Sequence, residues 1–137
     1  MVNGRNKGAS FEREVAKMLF DELNITFKRD LEQYRAGDHG DLIPDDDSFP
    51  FVLELKRYAD GPVGGQAGWW EQVCKAANRE SKLPALLYKY DRKPIRCVLP
   101  LAAIMENHHG CLIEVGFSTF CYIAREMMND ISRLNLQ

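Results

Sequence analysis

A central β-sheet flanked by helices, in an α/β or α+β arrangement, is the fold class this sequence predicts, and three observations predict it. Stretches with a helical hydrophobic period alternate with stretches that read as strands. Clusters of glycine, proline and aspartate, such as "GPVGG" and "PDDDS", punctuate them at short spacing. At 137 residues, with 45% hydrophobic, 28% charged and 10% aromatic residues, the chain suits one domain with a core of its own.

Taken in order, "ASFEREVAKMLFDELN" places Phe11, Val15, Met18, Leu19 and Leu23 at helical spacing, with Ser10 as the expected N-cap. Residues 1–9 before it are expected to form a flexible arm. Ile25 and Phe27 alternate with polar neighbours, which predicts a strand ending near Arg29. Residues 41–43 and 51–56 read as two further strands, paired as a hairpin across a solvated turn containing Asp45, Asp46 and Asp47. The glycine-rich loop "DGPVGGQAG" has neither a G-K-[ST] tail nor a strand-to-helix G-x-G-x-x-G context, so it reads as a mobile loop and not a phosphate cradle. A second helix over "WWEQVCKAANRESK" follows, then strands over "PALLYKY" and "IRCVLPL". Residues 101–137 are expected as a C-terminal extension: a short helix, the turn "NHHG", a strand "CLIEVG" and a helix from about Ser118 to Leu134.

Several function classes drop out. No apolar run approaches the ~20 residues a bilayer requires and no signal-peptide core opens the chain, so a cytoplasmic protein without membrane contact is expected. Cys74, Cys97, Cys111 and Cys121 contain no C-x-x-C pair and read as reduced, mostly buried thiols. His108, His109, Cys111 and Cys121 lack the paired spacing of a zinc site, and the histidines read as part of a polar turn. A net charge of −2 argues against an overall attraction to nucleic acid. Bases nevertheless gather in "GRNKG", "FKRD", "ELKR" and "KAANRESK", which fits a basic face as well as an evenly mixed surface.

The chemistry concentrates in "GDLIPDDDSFPFVLELKRY". Alternation along a strand puts Phe51, Leu53 and Leu55 on one face and Val52, Glu54 and Lys56 on the other. If the 41–43 strand pairs beside it, the carboxylates of Asp41 and Glu54 converge, and two carboxylates at one point require a proton or a cation between them. Oxygen ligands of this kind suit Mg²⁺ or Mn²⁺. Lys56 is placed to orient or deprotonate an attacking water, or to stabilise charge on a phosphate. An ordinary surface ion-pair strand would carry the same E-x-K, so the upstream Asp41 is what turns the reading toward a site.

These residues resemble a known family. Asp41-Leu-Ile followed by Glu54-Leu-Lys56 resembles the P-D…(D/E)-x-K signature of the restriction-endonuclease-like nucleases, with Gly40 in place of the proline. "KGASFEREVAK" is similar to the first helix of archaeal-type Holliday junction resolvases, and by that match Glu12 is a further catalytic carboxylate. At ~100° per residue Glu12 also borders the apolar face of its helix, whereas Glu14 looks outward. "LEQYRAGDHGDLI" and "WWEQVCKAAN…LPALLYKYDRKPIRCVLPL" look like small phage-type PD-(D/E)XK endonucleases, and the likeness covers residues 5–101.

The resemblance implies an α/β restriction-endonuclease-like fold with a central mixed β-sheet flanked by α-helices. It further implies a Mg²⁺- or Mn²⁺-dependent DNA endonuclease, selective for branched DNA in the manner of a Holliday junction resolvase, working as a homodimer in the host cytoplasm as a phage or prophage protein. The implied catalytic set is Glu12, Asp41, Glu54, Lys56 and Gln72, with Asp41 and Glu54 as metal ligands. Gln72 enters because nucleases of this fold send a glutamine toward the site from the helix after the E-x-K strand; a solvated helix edge formed by Gln72, Lys75, Ala76 and Arg79 is the alternative. Phosphate contacts are expected from Arg5, Lys7, Arg13, Arg29, Arg35, Arg57, Lys75 and Arg79, with the N-terminal arm ordering on DNA. Trp69 and Trp70 suit helix packing or a dimer contact better than stacking on a base. A flap, nicking or restriction-like nuclease, or a non-catalytic DNA-binding module on the same fold, remains the competing expectation.

Overall fold

The computed structural model of this chain describes residues 4–31 and 40–135, and the side chains of residues 7–31 and 40–130 within them. Helix α1 spans Gly4–Leu23, strands β1, β2 and β3 span Phe27–Arg29, Leu42–Pro44 and Phe51–Tyr58, and helix α2 spans Trp69–Glu80. Strands β4 (Leu83–Tyr90) and β5 (Arg96–Pro100) follow, then a single 3₁₀ turn over Leu101–Ala103, strand β6 (Leu112–Gly116) and helix α3 (Phe117–Asn135). Among the described residues the six strands form one sheet in sequence order. β3 and β4 run parallel, and the other neighbours run antiparallel. A parallel pair needs a crossover connection, and α2 supplies it.

Both faces of the sheet are covered where the crossover lies. On one face Phe11, Val15 and Leu19 of α1 and Phe117, Phe120, Cys121 and Ala124 of α3 pack against Phe51, Leu53 and Leu55. On the other, Val73, Ala76 and Ala77 of α2 meet Val52, while Trp69 meets Leu86 and Tyr88 of β4. A strand buried on both sides is normally apolar throughout. Glu54, in the middle of β3 and only 5% exposed, breaks that rule.

The structure departs from the expectations in four places. α1 starts at Gly4 and not at a Ser10 cap, so residues 4–9, expected in a flexible arm, are helical. Poor helix formers such as Gly4, Asn6 and Gly8 hid the extra turns from a propensity reading; an ion pair from Lys7 to Asp91 ties them to the far end of the sheet. The short helix after Pro100 is only the 3₁₀ turn. β6 and α3, expected as an extension, belong to the main structure: β6 pairs with β5 along its length, and α3 side chains lie in the principal core.

The glycine-rich loop, expected to be mobile, is fastened. The Gly64 amide donates to the Tyr88 hydroxyl at 2.9 Å, and the Tyr90 hydroxyl donates to the Pro62 carbonyl at 2.8 Å. Tyr88 in turn donates to Glu114, which pairs with Arg96 at 3.2 Å. A side chain on Gly61 would strike the Tyr90 ring, so the loop lies flat against the tyrosines. No helix among the described residues is long and apolar enough to cross a membrane.

Candidate active site

Asp41 enters β2 under three constraints. Its amide donates to the Leu53 carbonyl at 2.8 Å, and its carbonyl accepts from the Asp30 amide at 3.0 Å. Its Oδ2 accepts from the Leu55 amide at 2.7 Å. β2 and β3 approach so closely here that a Cβ on Gly40 would lie 2.3 Å from the Leu53 carbonyl oxygen and 2.9 Å from its nitrogen. Proline also carries a Cβ, so this contact gives a steric reason for glycine at the position before Asp41.

Glu54 and Lys56 share the α2 face of β3, as alternation predicts. Lys56 Nζ lies 3.3 Å from Glu54 Oε1 and donates to Gln72 Oε1 at 3.1 Å. Gln72 stands in the first turn of α2, whose buried stripe of Trp69, Val73, Ala76 and Ala77 turns it toward the lysine. Ala76 therefore belongs to the packed stripe and not to the polar edge with Gln72, Lys75 and Arg79, a correction that follows from the 3.6-residue period.

Asp41 and Glu54 are each 5% exposed. Burial first, and then the neighbouring Glu54, push the Asp41 carboxyl from an ordinary 3.8 up to about 8, against the opposing pull of the Leu55 amide and Lys56. Burial also raises Glu54, while Lys56 and a hydrogen bond with the Asp41 carboxyl draw it back. Both shifts run in the direction expected where two buried acids lie close together with little positive charge between them. Glu12 faces the pair from α1 and raises both carboxyls; its own Oε2 accepts from Arg29 Nε at 2.7 Å.

A divalent cation fits this donor set. Its charge would offset the repulsion between the two carboxylates, and Asp41 and Glu54 carry the hard oxygens it prefers. Among the described residues no three acidic, histidine or cysteine side chains are gathered closely enough to hold a metal by themselves. Glu12, paired with Arg29, stands apart from the two carboxyls, and a cation here would complete its shell with water or substrate oxygens, as Mg²⁺ commonly does.

The expected phosphate contacts that are described sit on α1, α2, β1 and β3. Arg29 is engaged by Glu12, and Lys7 and Arg57 both reach Asp91. Arg13 lies exposed on α1, and Lys75 and Arg79 lie exposed on α2. The Arg5 side chain and the whole of Arg35 lie outside what is described. Trp69 is packed, stacked on Tyr58 at 5.2 Å and 26°. Asp46 closes the expected turn by accepting from the Ser48 amide and hydroxyl at 2.9 and 2.6 Å. His108, His109 and Cys111 are exposed around the turn before β6, whereas Cys121 is buried in α3.

Sequence reading did not single out Asp30, 8% exposed and bonded through its amide to Asp41, or the Glu12–Arg29 pair. An acid following a three-residue strand looks like any loop residue. Only the return of β2 beside β1, with Arg29 opposite Leu42, brings these groups to the site.

Comparison with known proteins bears on the fold and the family. The crystal structure of the Archaeoglobus fulgidus Holliday junction resolvase Hjc superposes with a TM-score of 0.57 at 16% identity, over 86% of this chain and 98% of that one. Both share the restriction-endonuclease-like fold, a mixed sheet flanked by helices. No curated protein matches the chain. The family described as "Phage putative PDDEXK endonuclease" matches residues 3–134, and the chain belongs to that family, within the PD-(D/E)XK nuclease superfamily.

Proposed function

We propose that the protein is a Mg²⁺- or Mn²⁺-dependent DNA endonuclease that hydrolyses phosphodiester bonds, selective for branched DNA and acting as a homodimer in the host cytoplasm. The observation that carries the hydrolytic reading is the buried Asp41–Glu54 carboxyl pair with Lys56 fixed beside it by Glu54 and Gln72. Family membership supports nuclease chemistry. The likeness to a solved Holliday junction resolvase supports branched DNA as the first substrate to try.

Asp41 and Glu54 would hold the metal, which when bound would acidify water and offset charge on the phosphate. Lys56 presents an ammonium donor where negative charge grows on a phosphoryl oxygen, and Gln72 and Glu54 limit the directions it can take. Glu12 adds negative potential from α1, which raises both carboxyls in the absence of a cation and would add to the attraction for one. Two such sites related by a twofold axis would suit paired nicks in a symmetric junction.

Labelled four-way junctions, flaps, nicked duplex and linear duplex incubated with Mg²⁺ test the proposal. Cleavage of the junction that disappears in Asp41→Ala and in EDTA is the expected result. Wild-type rates in Asp41→Ala would overturn the site. Equal rates on all four DNAs would reject branched-DNA selectivity and leave the nuclease standing. DNA binding without cleavage at any divalent metal would favour the non-catalytic reading.

A further inference from the structure

Beyond the carboxyl site, Lys7 and Arg57 converge from α1 and β3 on one atom. Lys7 Nζ lies 3.4 Å and Arg57 Nη2 lies 2.6 Å from the same oxygen, Oδ1 of Asp91. Arg57 Nη1 also donates to the Tyr58 carbonyl at 2.6 Å, so the guanidinium is held by backbone as well as by the acid. The cations are the sheltered members: their side chains are 27% and 17% exposed, against 44% for Asp91. Positive charge is thus built into the surface, and the carboxylate sits over it from the outside.

Exposed ion pairs add little to stability, so folding alone gives weak reason to bring these three together. The chemistry of the arrangement suggests another use. A phosphodiester, like a carboxylate, carries one negative charge over two oxygens, and a guanidinium fork accepts either. The location is on the α1 side of the sheet: alternation turns Arg57 to the face of β3 opposite Lys56, toward α1, where Lys7 is on the order of 7.5 Å along the helix from Glu12 at the helical rise.

We propose that Asp91 occupies the seat of a DNA backbone phosphate, and that DNA binding displaces its carboxylate from Lys7 and Arg57. The proposal rests on the DNA-nuclease reading above. The two cations are aimed before DNA arrives, while the acid that covers them weakens attachment to any duplex that does not press a phosphate into the seat. Arg57 first, and then Lys7, hold the Asp91 carboxyl below the usual carboxylate range, so it stays charged and competes throughout the neutral range. Asp91 lies in the turn after β4, anchored by its amide to the Ala59 carbonyl at 3.1 Å, which leaves the side chain to swing while the backbone stays in place.

Fluorescence anisotropy in EDTA, with a labelled four-way junction and a labelled linear duplex, separates the possibilities without cleavage. Asp91→Asn is expected to bind both DNAs about 3–10-fold tighter, with the salt dependence steeper by about one ion. The gain should vanish in a Lys7→Gln/Arg57→Gln background. Asp47→Asn, in the exposed turn before β3, controls for net charge and should gain less. Asp91→Ser should repeat the result, with a thermal melt of each variant reporting that it folds. A gain no larger than that of Asp47→Asn, or one that persists without Lys7 and Arg57, overturns the seat alone. Failure of the wild-type protein to bind either DNA overturns the nuclease reading and this proposal with it.

Discussion

Asp41 binds its proton more tightly in the folded chain than in the unfolded one, because burial and Glu54 lift it from 3.8 to about 8. A raised acid contributes stability that is complete below its unfolded value and lost as pH rises through its folded value. Glu54 shifts in the same direction. Metal-free protein should therefore lose thermal stability between about pH 4 and pH 8, and a divalent cation should restore it at pH 8. Asp41→Asn keeps an oxygen for the Leu55 amide while removing the charge. It should flatten the pH dependence and stabilise the metal-free protein at pH 8 by about 1–3 kcal/mol, read from chemical denaturation. A melting profile in Asp41→Asn as steep as in wild type would refute the assignment. At Lys56 the alanine variant should slow junction cleavage by ~10²–10³, whereas Gln72→Ala, which removes only the orienting acceptor, should slow it on the order of tenfold. Initial rates at saturating DNA measure both. The juxtaposition of Glu54 and Lys56 was legible because strand alternation makes a charged face conspicuous, and that of Asp41 with them because the hairpin brings the strand after it beside β3. Asp30 was not, since nothing local distinguishes a buried acid from a loop acid.

Elements explain why the residues stay where they are. The close approach of Gly40 to Leu53 leaves no room for a side chain, so Gly40→Ala should push β2 from β3 and lengthen the Asp41–Leu55 bond. Such overpacking costs about 1–3 kcal/mol, and the denaturation midpoint and cleavage rate should fall together. The tyrosine-fastened loop makes a second prediction. Tyr88→Phe removes the acceptor of the Gly64 amide and the donor to Glu114, so hydrogen exchange at Gly64 should accelerate while Lys56 keeps Gln72. Unchanged protection at Gly64 would show that the loop is held by packing alone. Most elements were readable from hydrophobic period and turn chemistry, including the β2–β3 hairpin and helix α2; that α2 serves as the crossover of a parallel pair was not, because neither period nor turn residues fix the relative direction of strands joined by a helix. The first turns of α1 were not, because glycine and asparagine predict poor helix and the partner of Lys7, Asp91, lies far along the chain. The anchoring of the glycine loop was invisible for the same reason: it depends on hydroxyls from β4.

Over the whole molecule, the C-terminal third behaves as structure and not as an attachment. Phe117, Phe120, Cys121 and Ala124 fill the core beneath Phe51, so a chain ended after Ile104 should show no cooperative thermal transition by circular dichroism. A cooperative melt in that fragment would contradict the packing. The resemblance readable in the sequence covered residues 5–101, yet the family match runs through residues 3–134 and takes in most of the C-terminal third; packing positions tolerate many apolar side chains and so carry no motif that stands out, whereas the site demands particular ones. The parallel β3–β4 pair has a consequence for how the protein reaches its native state. Antiparallel neighbours zip from a turn, but β3 and β4 can pair only after the glycine loop and α2 have crossed over, a non-local closure that forms slowly. Lys56 meets Gln72 through that same crossover. During refolding from denaturant, cleavage activity should return no earlier than the fluorescence of Trp69 stacked on Tyr58, so a nascent chain stays harmless to DNA until its crossover has docked.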